Sequence, residues 1–188
     1  MHQTLFEIPI FRYQVDDWKN KKKEVYKWIN KTELIRRSNM SFLTDRAPLW
    51  PQVGKPRGPA QERFYKEDFC KLFEPELTEF LKETSLTEIS IIDVWTVEYH
   101  YGDYQVPHNH RSVGVSGILY VNFNPKEHSA TQVMQPWNDP VTDAAAFMDL
   151  MPEEGTMILM PSFLIHFVNP NFTRNRRTIL AFDLEVKE

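Results

Sequence analysis

Residues 177–186 read RTILAFDLEV, and residues 116–123 read SGILYVNF. On a strand, successive side chains point to opposite faces. In the first run Thr178, Leu180, Phe182 and Leu184 therefore share one side, with Arg177, Ile179, Ala181 and Asp183 on the other. The second run divides in the same way, Leu119, Val121 and Phe123 against Ser116, Ile118, Tyr120 and Asn122. The bulky apolar faces are built to pack on helices. The mixed faces, with small and polar residues and one arginine, have the composition of a cavity lining.

Around these two runs the second half of the chain reads as strands. Residues 91–99, 156–160 and 165–168 are also rich in β-branched and aromatic residues, and polar or Pro/Gly-containing turns separate them. The first half differs. LFEIPIFRY opens on a short extended run in which Pro9 suggests an edge position. Trp18, Val25, Tyr26, Trp28 and Ile29 then recur at near-helical spacing behind Asp16 and Asp17, which predicts a helix over about 17–31. The lysine run at 21–23 reads as the solvated face of that helix. Residues 38–62 carry four prolines and two glycines and read as a loop. Phe69, Leu72, Phe73, Leu77, Phe80 and Leu81 predict a second helix over about 65–83, bent or divided at Pro75. The expected fold is mainly β: a jelly roll or cupin-like double-stranded β-helix backed by two or more α-helices. It forms a single domain over 1–188, with 1–87 as a mostly helical support carrying an edge strand and 88–188 as the core.

Composition narrows the function. The chain has 188 residues, 22 Lys+Arg against 26 Asp+Glu and a formal net charge of −4, which argues against a generic nucleic-acid binder. One cysteine excludes an intrachain disulfide framework. No apolar run approaches a membrane span, and the N-terminus lacks a charged start followed by a long apolar region. The expected setting is cytoplasmic.

The chemistry concentrates in GDYQVPHNHRS, residues 102–112. His108 and His110 are two apart, so on an extended segment they project to one side and can converge on one ion. His166, in MPSFLIHFVNP, is the candidate third ligand. Arg177 follows on a late strand; a guanidinium beside a metal suits an anionic cosubstrate, because it holds a carboxylate through two parallel hydrogen bonds. Tyr120 can add a hydroxyl to the same group. The other histidines, His2, His100 and His128, lack partners at ligand spacing and read as structural or exposed.

These residues resemble the 2-oxoglutarate/Fe(II)-dependent oxygenases of the double-stranded β-helix fold. The likeness is to a type from phages and marine bacteria, with the pattern W-x-x-x-x-x-x-G-D-x-x-x-x-H-x-H followed by S-G-x-x-Y. Here it stands as Trp95, Gly102-Asp103, His108-Asn109-His110 and Ser116-Gly117-Ile118-Leu119-Tyr120. A second block runs from Glu154-Gly155 through Pro161-Ser162 and His166 to Arg177. The resemblance implies iron held by His108, His110 and His166, 2-oxoglutarate gripped by Arg177, and O2 as the oxidant. It implies hydroxylation of a small-molecule or peptide substrate, peptidyl proline among the candidates, with release of succinate and CO2. A homodimer is compatible with the sequence.

Two departures from the family pattern stand out. His110 occupies the place of the usual carboxylate ligand, and Asp103 is the nearest alternative carboxylate. Ile179 stands where many relatives have Ser or Thr two residues after the arginine. Two other readings stay open: a three-histidine metal-dependent hydrolase or isomerase on the same barrel, and a non-catalytic binding module.

Overall fold

A computed structural model of the chain describes residues 7–48 and 59–187. In chain order the elements are β1 (Phe11–Gln14), α1 (Trp18–Asn30), β2 (Ile35–Ser38), β3 (Phe42–Pro48), α2 (Pro59–Leu72) and α3 (Glu74–Thr84). Then follow β4 (Glu88–Tyr99), β5 (Tyr104–His108), β6 (Val115–Asn122), β7 (Thr131–Met134), β8 (Phe147–Asp149), β9 (Thr156–Pro161), β10 (His166–Val168) and β11 (Arg177–Lys187). The strands form one antiparallel sheet in the order β1-β9-β6-β11-β4-β3-β5-β10-β7-β8, with β2 paired to β3. The sheet curls, so that Ile118, Ile158 and Ile179 from one part pack with Val133, Leu164 and Val168 from the other. This is the expected helix-backed double-stranded β-helix.

The alternation in β11 and β6 sorts the two cores. Leu119, Val121, Leu180, Phe182 and Leu184 face outward and pack under the helices against Val25, Trp28, Ile29, Phe69, Phe73, Leu77 and Phe80. Phe69 lies 4.9 Å from Phe182, and Phe11 meets Phe80 edge-on at 5.0 Å. Ile118, Tyr120, Ile179 and Ala181 face inward. Phe123 belongs to the inner core rather than sharing the outer face with Leu119, because the strand ends at Asn122 and the strict alternation ends with it. Each buried Leu, Ile or Phe contributes roughly 1.5–3 kcal/mol of transfer free energy, so the sidedness of β11 is strongly fixed.

The helical expectations need two refinements. The predicted second helix is divided: α2 ends at Leu72, and Pro75 sits in the first turn of α3, where its missing N–H costs nothing. The lysine run is only partly solvated. Lys21 bonds the buried Glu76 at 3.2 Å and Lys22 reaches Glu154 at 2.8 Å, so the run ties α1 to α3 and to the β8–β9 connection. Cys70 is a half-buried residue packed against the outer core.

The expected loop at 38–62 contains β3, a strand in the interior of the sheet between β4 and β5. Its prolines hid it: Pro51, Pro56 and Pro59 follow within a dozen residues, while the strand itself carries only Pro48, at its last position. The remainder of that proline-rich stretch, 49–58, lies outside the described residues.

Gly117 shows why the S-G-x-x-Y motif needs its glycine. A Cβ there would lie 2.1 Å from the ring of Phe182, which is fully buried. Gly117→Ala is expected to lower stability by about 1–3 kcal/mol through overpacking. Thermal or urea unfolding measures this, and an unchanged midpoint would show that the ring relaxes freely.

Candidate metal centre

His108 ends β5 and His166 begins β10, and the two are direct cross-strand partners. Residue pairing across an antiparallel ladder puts both rings on one face. His110 follows two residues on, held by its backbone N–H to the Ser162 carbonyl at 3.1 Å. The ring centroids are 4.4 Å apart for His108 and His166, 5.1 Å for His110 and His166, and 5.5 Å for His108 and His110. One nitrogen from each ring lies within 4.8 Å of the others.

All three Nδ1 atoms are occupied. His108 Nδ1 donates to the Val106 carbonyl at 2.9 Å, and His166 Nδ1 to the Leu164 carbonyl at 3.1 Å. His110 Nδ1 bonds Asp183 Oδ1 at 2.6 Å. Such bonds fix the tautomer and leave Nε2 as the lone-pair nitrogen. The lone pair of His108 Nε2 accepts from the Gln105 amide at 3.0 Å, and Gln105 Oε1 accepts from Tyr99 Oη at 3.3 Å. Burial, reinforced by the neighbouring imidazoles, pushes the pKa of His166 down to about 3. Burial also lowers that of His108. Both rings are therefore neutral at physiological pH, the form in which imidazole binds metals. For Asp183, burial alone acts upward, but hydrogen bonds from His110 and Ser116 prevail and hold its carboxyl below the usual range.

The triad lies on the wall of a cavity of about 330 Å3. The inward face of β11 lines it with Ile179, Ala181 and Asp183, and β6 adds Ser116 and Ile118. Trp95 is part of the wall, its ring 5.5 Å from that of His110, so it shields the site directly. Arg177 is fully buried next to this wall. Its Nη2 donates to Thr131 Oγ1 at 2.9 Å, while Nε and Nη1 are buried without a hydrogen-bond partner among the described residues. The guanidinium carbon sits 4.5 Å from the Tyr99 ring and 5.3 Å from that of Tyr120. The Tyr120 hydroxyl is buried and also lacks a partner among the described residues. A buried guanidinium and phenol with unused donors are costly unless something accepts from them.

Several residues fall elsewhere. Asp103 is fully buried in the β4–β5 turn, where it accepts from His100 N at 2.8 Å and pairs with Arg36. It is a turn residue and lies outside the triad. His100 pairs with Asp45 at 2.8 Å, and Glu98 lies close by. Arg36 and Arg176 already bind these two acids. His128 spends both ring nitrogens on the backbone of Asn124 and Asn175. His2 lies outside the described residues. Trp137 and Phe147 line a separate groove of about 250 Å3 with Ile8 and Ile10, and none of the three histidines lines it.

The family model described as "Putative 2OG-Fe(II) oxygenase" matches residues 93–183, which span the triad, Arg177 and the cavity strands. This region belongs to the 2OG-Fe(II) oxygenase family. The chain is similar in fold to a prolyl-4-hydroxylase from Pseudomonas putida, with 14% identity, 96% of this chain and 94% of that chain covered, and a TM-score of 0.55. The collagen prolyl hydroxylase of Paramecium bursaria chlorella virus-1 matches with 13% identity, 95% and 96% coverage and a TM-score of 0.59. The epimerase SnoN of nogalamycin biosynthesis matches with 9% identity, 95% and 78% coverage and a TM-score of 0.70. No curated protein matches the chain. Iron(II) and 2-oxoglutarate are the metal and cosubstrate of the family, with O2 as the oxidant. No described helix of the oxygenase is long and apolar enough to cross a membrane.

The residues present fit those groups. Three neutral-type nitrogen donors suit iron, and the unused donors of Arg177 and Tyr120 suit a carboxylate. Ile179 provides no hydroxyl, and the hydroxyl that Arg177 meets comes from another strand, on Thr131. Asp183, Gln105 and Thr131 were not singled out as functional from sequence. Only Asp183 carried a signal, as an acid on the cavity face of β11.

Proposed function

We propose that the chain is a 2-oxoglutarate-dependent hydroxylase in which His108, His110 and His166 hold iron(II). Arg177, oriented by Thr131 and joined by the Tyr120 hydroxyl, binds the distal carboxylate of the cosubstrate. Iron with 2-oxoglutarate and O2 supplies oxidative decarboxylation to succinate and CO2 coupled to hydroxylation of a substrate C–H bond. The chain's own contribution is placement. Val106, Leu164 and Asp183 orient the imidazoles, Trp95 and Met160 limit water in the cavity, and Arg177 fixes where the cosubstrate points.

The buried, partly unsatisfied Arg177, tied through Thr131 to the wall of the cavity that holds the three-imidazole cluster, is the observation that carries this reading. A hydrolase on the same barrel would have no use for that cation. The substrate is a small molecule or peptide, and a prolyl residue is the first to try, since two of the fold neighbours are prolyl hydroxylases. The test is anaerobic loading with Fe(II) and 2-oxoglutarate, admission of O2, and assay of succinate without any other substrate. Slow succinate formation is expected; iron-loaded protein that leaves 2-oxoglutarate untouched under O2 would refute the proposal.

A further inference from the structure

His108 and His166 donate their Nδ1–H hydrogen bonds to neutral carbonyls, whereas His110 donates its own to a carboxylate. That carboxylate, Asp183, is itself held in place. Ser116 Oγ donates to the same Oδ1 at 2.9 Å, and Ser162 Oγ lies 2.9 Å from Ser116 Oγ. Ser162 also accepts the backbone N–H bonds of His110 and Arg111, so one residue braces both ends of the His110–Asp183 pair. The sheet fixes the pair further, with Asp183 opposite Ser116 on β6 and opposite Asp93 on β4. Asp183 is 8% exposed and lines the cavity, yet it is not among the groups whose ligand atoms converge.

We infer that Asp183 is the outer-sphere carboxylate of the metal site, a positioning residue that aims His110 Nε2 at the metal and returns the negative charge a three-histidine ligand set lacks. The inference rests on the three-histidine reading proposed above. A divalent ion on three neutral imidazoles keeps a charge of +2, and a ligating carboxylate would reduce it to +1. Here the carboxylate stands one hydrogen bond further out. Accepting the Nδ1 proton makes an imidazole a stronger donor, and a charged acceptor does so more than a carbonyl. His110, in the position where the family usually has a carboxylate, is therefore the most electron-rich ligand. The site is asymmetric by construction.

The experiment is a titration of the full chain with Co(II), followed by its visible ligand-field bands and by competition with a chelator. Asp183→Asn preserves the shape and the possible acceptor oxygen but removes the charge. It is expected to weaken Co(II) binding about 10–100-fold while leaving the band pattern of the wild type. Asp183→Glu, which keeps the charge, is expected to recover part of that loss. In zinc-loaded protein the Nδ1 proton of His110 is expected far downfield, moving upfield in Asp183→Asn. Wild-type affinity in Asp183→Asn overturns the inference and leaves the three-histidine reading standing. Complete loss of Co(II), equal to that of His166→Ala, also overturns it, because Asp183 would then be a ligand itself. A wild-type chain that binds no Co(II) defeats the three-histidine reading, and the inference with it. Where Asp183→Asn does not fold, Ser116→Ala decides: it leaves the carboxylate on His110 and removes one donor, so affinity should fall by roughly fivefold, the worth of one hydrogen bond. No change there overturns the inference.

Discussion

His166→Ala is expected to remove stoichiometric iron binding. The ring is 5% exposed, faces His108 directly across the ladder, and sits within 5.1 Å of the His110 ring. Its Nδ1 is tied to Leu164, so its orientation is set before any metal arrives. With its pKa pushed down to about 3, no proton competes for the remaining lone pair at neutral pH. Removing such a preorganised ligand leaves two imidazoles, and the loss should exceed the roughly 10–100-fold typical of outer-shell partners. The check is elemental analysis of untagged protein after anaerobic loading with Fe(II), beside the wild type. Unchanged iron content in His166→Ala would sink the three-histidine site.

Arg177→Met should act in two opposite directions. Affinity for 2-oxoglutarate falls, because the guanidinium whose Nε and Nη1 lack partners is the group proposed to meet its distal carboxylate. Truncating one partner of a buried charge pair costs about 2–5 kcal/mol, or at least roughly 30-fold in affinity. Stability without cosubstrate rises instead. The arginine is fully buried with a neutral hydroxyl as its hydrogen-bond partner, and the Tyr99 and Tyr120 rings offset only part of the desolvation. Replacing buried charge by an apolar side chain of similar length stabilises by about 1–4 kcal/mol in comparable cases. Calorimetric titration of Mn(II)-loaded protein with 2-oxoglutarate reads the first effect, and thermal unfolding of the protein alone reads the second. A variant that binds 2-oxoglutarate normally removes Arg177 from the site. A variant that binds weakly and also unfolds early points to a structural role instead.

Much of the architecture was legible because the strands that matter are long and present different residue sets to two buried faces. RTILAFDLEV alternates over ten residues, and the outer set lies under helices while Ile179, Ala181 and Asp183 line the cavity. Several short strands were not legible. β5, β7 and β8 are 3–5 residues long, too brief for a periodicity to emerge, and their pairing depends on neighbours distant in sequence. β3 was obscured by the prolines that follow it. Pro75 is legible as a dividing residue because its effect is local: it has no N–H to continue a preceding helix, and it fits the first turn of a new one.

The site divides along the same line. His108 and His110 announce themselves by their spacing, since two residues of extended chain return a side chain to the same face whatever the rest of the fold does. The sequence by itself determined that pairing, the sidedness of β6 and β11, and the division of the helices, all of which depend on local geometry and burial pattern. Only the tertiary structure decided that His166 stands opposite His108, that Thr131 braces Arg177, and that Asp183 rather than Asp103 lies beside a histidine of the triad. These contacts join residues 46 to 73 positions apart, apart from the local turn role of Asp103. The register of a curled sheet brings such residues together, and that register is the outcome of packing over the whole chain, which no short window of sequence contains.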